Sequence, residues 1–175
     1  MYKILLITCF SIMAFAGFAQ KEPPETLDEY KKEYNERIKK DNLAGIYIPK
    51  DLNDAFVELN KKIADKDKEK FKSLSEDEAA HKLFFSLGRW IVVNWGFDGG
   101  SRLSHSLKGL GLFHPEDMST FIIRVYHRKM NNKDLAMSEL IKTIVTARKA
   151  LRAADLKDAP VLHEEVRKIP KKKSK

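Results

Sequence analysis

Residues 79–95 are apolar on almost every side of a helix, with Leu83, Phe84, Phe85, Leu87, Trp90, Ile91, Val92 and Val93 crowded into one run. A helix without a polar face belongs inside a protein, so this run predicts the buried central helix of an all-α domain. Its start is equally well marked. Ser75 stands at an N-cap position, Glu78 completes a capping box, and Glu76 and Asp77 suit the positive end of the helix dipole. The run stops at Gly96. Beyond it, Phe97, Asp98, Gly99, Gly100, Ser101 and Arg102 read as a tight glycine corner opening into the next helix.

The remaining segments organise around that core. Thr26 and Glu29 form a second capping box, opening a helix over residues 26–41 whose apolar marks (Leu27, Tyr30, Tyr34, Ile38) are too sparse for anything but a peripheral position. Residues 42–45 end it, and Ile46, Tyr47 and Ile48 run extended into Pro49. Asp51 caps a helix in which Leu52, Ala55, Phe56, Leu59 and Ile63 recur at helical spacing. Residues 65–72 are nearly all charged, a short exposed helix or turn. Leu103, Leu107 and Leu110 give residues 101–110 an inner face. His114, as the cap, and Pro115 open a helix carrying Met118, Phe121, Ile122, Val125 and Tyr126. Asn131 and Asn132 end it, and a long amphipathic helix occupies residues 136–159. No segment alternates with a period of two, which leaves a compact multi-helix all-α domain with a peripheral N-terminal helix and a long C-terminal one.

The first twenty residues set the expected compartment. Lys3 precedes an apolar stretch over residues 4–16, and Gly17 and Ala19 place small residues at −3 and −1 of a cleavage site. Residues 1–19 are expected to be a signal peptide cleaved near Ala19, with an uncleaved anchor as the alternative, and the protein to be periplasmic or extracellular. Cys9 is the sole cysteine and lies within that segment, so the mature chain has no thiol for a disulfide, a nucleophile or a metal site. The net charge of +8 is concentrated at the C-terminus, where residues 138–175 hold 11 basic and 5 acidic side chains. Residues 160–175 read as a solvated basic tail, with an electrostatic handle as the lesser reading. The sequence leaves the partner unknown, with a protein or an anionic envelope component as the candidates. Nucleic acid suits an exported chain least, and the mature chain is expected to have no stable membrane span.

Asn94, Trp95, Asp98, Ser101, Arg102, His114, Asp117 and His127 are the candidate residues for binding or for an internal polar network. Consecutive glycines at the N-terminus of a helix, with Arg102 beside them, can form a nest for phosphate or carboxylate. The blander expectation is that the glycines only make the corner, Ser101 caps, and Arg102 pairs with Asp98. Trp90 and Trp95 point well apart on an ideal helix; core for both is the commoner outcome, with one at the corner as a binding anchor the alternative. His105, His114 and His127 could converge with Asp98 or Asp117, but no ligand spacing is present, and neither metal nor cofactor is expected. Hydrolysis would draw on Ser101, Ser104 or Ser119, with a histidine as base and Asp98, Glu116 or Asp117 to orient it. No serine elbow is present.

The order IPKDL (48–52), NWGxxxGSRL (94–103), HPEDMS (114–119) and YHR (126–128) resembles a small bacterial domain family of unknown function. The likeness covers residues 46–135. The resemblance implies a helical domain and no particular reaction. This chain departs from it at Phe97–Asp98, where an apolar–aromatic pair is usual, at Gly99, and at Glu116 in place of Asp. The expected function is therefore an exported, non-catalytic binding or interaction module using the corner at 94–102 with 114–119. The alternatives are a small envelope hydrolase and a purely structural helical domain.

Overall fold

The computed structural model describes residues 24–158. The expected signal peptide and basic tail lie outside the described residues. In chain order the elements are α1 (Leu27–Arg37), a hairpin of β1 (Asn42–Leu43) and β2 (Ile46–Tyr47), α2 (Leu52–Lys62), α3 (Asp65–Ser73), α4 (Glu76–Leu83), a π-helical turn (Phe84–Gly88), α5 (Arg89–Asn94), α6 (Arg102–Gly109), α7 (Pro115–Met130) and α8 (Met137–Asp158). The fold is all-α apart from the hairpin, whose turn has positive φ at both Ala44 (48°) and Gly45 (78°), as a type I′ turn requires.

Helix ends follow local chemistry. Thr26 and Ser75 form the expected capping boxes, and Asp51 accepts from the Asp54 N–H at 2.9 Å. Ser101 and Ser104 cap each other reciprocally at the start of α6. His114 occupies the N-cap position of α7, but its side chain makes no capping bond. Three helices stop in the same way. Gly96, Gly111 and Asn132 adopt positive φ after α5, α6 and α7, and Phe97, Leu112 and Lys133 donate back to Val92, Leu107 and Arg128. These are Schellman closures, which need a left-handed residue directly after the cap.

The buried centre is α7 rather than the 79–95 run. Met118, Phe121, Ile122, Ile123, Val125 and Tyr126 are all buried, and α7 packs against α3, α4, the π turn, α5, α6 and α8. Residues 79–95 break into α4, the π turn and α5, which bury only one flank through Ala79, Ala80, Gly88, Ile91 and Trp95. Gly88 faces α7 at the crossing, where a Cβ would make ordinary van der Waals contact, 3.5 Å from both Ile123 Cδ1 and Ser119 Oγ. The opposite flank is uncovered: Phe85 is 82% exposed and Val93 61%. The apolar residues outnumber what the neighbouring helices cover.

At the two ends of the described residues, α1 has no buried residue and lies at the periphery. The long α8 attaches along its first half, where Leu140 is buried and Ile141, Ile144 and Val145 pack on the core. No described helix is long and apolar enough to cross a membrane.

Candidate functional site

Around the glycine corner, most main-chain N–H groups point inward. Gly96 donates to Val93, Phe97 to Val92, Gly100 to Phe97, and Ser101 to Ser104 Oγ. The corner also presents an acceptor: Gly100 O takes a hydrogen bond from Arg37 Nε at 3.0 Å. In this structure the corner thus offers a carbonyl to a cationic side chain of the same chain. Helix α1 lies across the corner. A Cβ on Gly96 or Gly99 would meet the Arg37 guanidinium at 3.1 Å, and one on Gly100 would overlap the Tyr34 ring.

Arg102 does not pair with Asp98. Its Nε donates to Ile48 O at 2.6 Å and its guanidinium lies 5.0 Å from the Tyr47 ring centre. The glycine corner and the IPKDL segment are thereby joined. Asn94 turns back on its own helix, donating from Nδ2 to Trp90 O at 2.9 Å. Trp95 is fully buried and Trp90 partly so, yet the two rings meet edge to face at 5.7 Å instead of diverging. Lys62 Nζ stands 5.5 Å from the Trp90 ring centre.

The later motifs are used in the same way. Asp117 receives two hydrogen bonds from Arg148, 2.7 and 2.8 Å long, locking α7 to α8. The Asp117 carboxylate in turn raises the Arg148 pKa. In YHR each residue holds a different segment. Tyr126 Oη donates to Asn60 Oδ1 of α2 at 2.7 Å. His127 is buried, edge-on to Phe71, with Nε2 2.9 Å from Leu74 O between α3 and α4. A carbonyl only accepts, so Nε2 carries the proton. Arg128 grips Glu76 at 2.7 and 2.9 Å and also donates to Leu135 O. Arg124 adds ion pairs to Glu76 and Asp77. Burial opposes ionisation of Glu76, but Arg128 and Arg124 outweigh it and hold its carboxyl below the ordinary glutamate range.

Arg102, His114 and His127 therefore do not meet. His105 faces Tyr34, His127 is inside, and His114 is on the surface. Among the described residues no group of three or more His, Cys, Asp or Glu side chains is placed to hold a metal. The serines are occupied too: Ser101 and Ser104 are buried caps, and Ser119 donates to Glu116 O at 3.0 Å.

Two of the candidate residues do come together. Asp98 from the corner and His114 from the start of α7 line one cleft of about 460 Å³ with Arg89, Glu116, Phe85 and Val93. Asp98, His114 and Arg89 are exposed and have no hydrogen-bond or ion-pair partner among the described residues. A larger groove of about 620 Å³ runs between α7 and α8, but its guanidiniums (Arg124, Arg128, Arg148) are all paired with carboxylates. The smaller cleft is the better candidate, because Asp98, His114 and Arg89 are free there and only Glu116 is engaged, by Arg148 at 3.1 Å. Arg89 is not legible in the sequence as a site residue: one arginine in an apolar run gives no signal until Phe85, Arg89 and Val93 are seen along one uncovered flank.

Residues 48–130 match the sequence model of a family described as a domain of unknown function (DUF6794). The matched stretch begins at Ile48, the acceptor of Arg102, and ends with α7, so the motif-borne resemblance to an uncharacterised small domain holds. Helices α1 and α8 lie outside it. No curated protein and no solved structure matches the chain.

Proposed function

We propose that the chain is an exported, non-catalytic binding module whose ligand site is the cleft between the π turn, α5 and the start of α7. One observation carries this reading. Asp98, His114 and Arg89, on three different segments, are exposed and unpaired around an apolar wall that includes Phe85 and Val93. Elsewhere the motif residues hold the fold together, whereas these do not. Exposed apolar surface beside unpaired polar groups is the usual composition of a recognition site. The cleft carries both signs of charge, which suits a protein segment better than a uniformly anionic envelope polymer. Export rests on the N-terminal twenty residues.

The structural alternative accounts for Asn94, Ser101, Arg102, Asp117 and His127 but gives Asp98 and His114 no task. A hydrolase with His114 as base would need a free nucleophile, and Ser101, Ser104 and Ser119 are engaged in caps and main-chain bonds.

Site-specific photo-crosslinking tests the binding reading. A photoreactive residue at Val93 should capture a discrete partner in the source cells, whereas one at the exposed Val57 of α2 should not. Asp98→Ala and His114→Ala should weaken capture at position 93 and leave Tm unchanged. Equal capture at both positions, or a drop in Tm matching that of Arg102→Ala, would overturn it.

A further inference from the structure

We infer that α1 is a displaceable strap, and that the glycine corner is a docking surface for a helix bearing Tyr and Arg three residues apart. Tyr34 and Arg37 lie on one face of α1, as i,i+3 spacing dictates. Arg37 donates to Gly100 O while its guanidinium stands against Gly96 and Gly99, leaving no spare room for a Cβ. The Tyr34 ring fills the space over Gly100, its hydroxyl lies 3.1 Å from His105 Nδ1, and Lys108 Nζ stands 4.6 Å from the ring centre. The three glycines therefore form a receptacle shaped by these two side chains, with a carbonyl at its floor for the guanidinium and a histidine at its rim for the phenol.

The attachment is shallow. No residue of α1 is buried, and Leu27 and Tyr30 remain largely in water. A free helix of 11 residues is marginal in water, so α1 is helical while it is docked and loses its structure on leaving. The strap also lies outside the family-matched segment, whereas the receptacle lies within it. Asp98 of the ligand cleft is the neighbour of Gly99, so one turn carries residues of both the strap's contact and the cleft. The occupant in this chain is its own α1, and the same pair supplied in trans competes for the corner.

A fluorescent peptide of residues 24–41 tests this by anisotropy against the full chain. With Tyr34→Ala and Arg37→Ala together in the chain, the corner is vacated and the peptide should bind saturably. The unaltered chain, whose tethered strap competes at high effective concentration, should bind it at least about tenfold more weakly. A peptide carrying Arg37→Ala should not bind the vacated chain. Equal binding by both chains, or none by the vacated one, overturns the inference. Hydrogen exchange on the unaltered chain gives a second reading that needs no variant. Amides of α1 should exchange by local opening, far faster than those of α7, and equal protection of the two helices overturns the strap.

Discussion

Arg102 on α6 donates from Nε to the main-chain oxygen of Ile48 at 2.6 Å, bridging two motifs far apart in sequence. Its guanidinium also covers the Tyr47 ring. Removing it leaves a carbonyl short of a charged donor, worth about 1.5–3 kcal/mol, and forfeits a cation–π contact worth about 0.5–1 kcal/mol. Arg102→Ala should therefore lower Tm by roughly 5–10 °C. Arg102→Lys should recover only part of this, because a flexible ammonium cannot reproduce the planar fork. A thermal melt of the two variants checks it, and an unchanged Arg102→Ala would show that the bridge contributes nothing.

Glu76 and Arg128 form a pair whose stability contribution depends on pH. The folded protein holds the Glu76 carboxyl below its ordinary range, so this contribution is present above the unfolded glutamate pKa of about 4.3 and is lost as pH falls through the lower folded value. Glu76→Gln should destabilise most at neutral pH, by about 1.5–3 kcal/mol, and the gap to the unaltered protein should close toward pH 3. Urea titrations at pH 7, 5 and 3 measure it. A gap that stays constant across the series would mean that the Glu76 charge is not what stabilises the junction.

Tyr126 has the opposite sign at the other end of the scale. Burial pushes its phenol up to about 12. Because the folded value is raised, the contribution is complete below the unfolded pKa of about 10 and is lost as pH rises toward 12. Tyr126→Phe should cost about 0.5–1.5 kcal/mol at neutral pH through the lost bond to Asn60, and its alkaline unfolding should be shallower. Melts between pH 8 and 11 distinguish the two proteins.

The features legible without coordinates are local. Thr26, Asp51, Ser75 and Ser101 sit where caps belong, Pro115 at a first helical position, and Gly96 and Asn132 where helices stop, because caps and closures depend on residues within one turn of each other. The stripes of α2 and α7 are legible for the same reason. The identity of the central helix is not, since apolar content shows what would be buried and not what arrives to cover it. Phe85 and Val93 are the counterexample. Long-range partners are equally hidden: nothing near Arg102 points to Ile48, nothing near Arg128 to Glu76, and nothing in the sequence places Arg37 on Gly100. Of the candidate site, Asp98 and His114 stand out in the sequence and do share a cleft, whereas Arg102, Asp117 and His127 turn out to hold helices together.

Gly100 and Gly109 give a contrast that separates conformational freedom from packing. Gly100 has φ of +83°, and a Cβ there would overlap the Tyr34 ring. Gly109 ends α6 with no positive φ, and a Cβ there would meet no atom within 4 Å. Gly109→Ala should stabilise by about 0.4–1 kcal/mol, chiefly by restricting the unfolded chain. Gly100→Ala should destabilise by about 1–3 kcal/mol through backbone strain, and should also free α1. The diagnostic is the combination with Tyr34→Ala. Removing the ring relieves the clash and leaves the φ strain, so the double variant should lose less than the sum of the two single losses. Strict additivity would mean that the Tyr34 ring does not press on the corner.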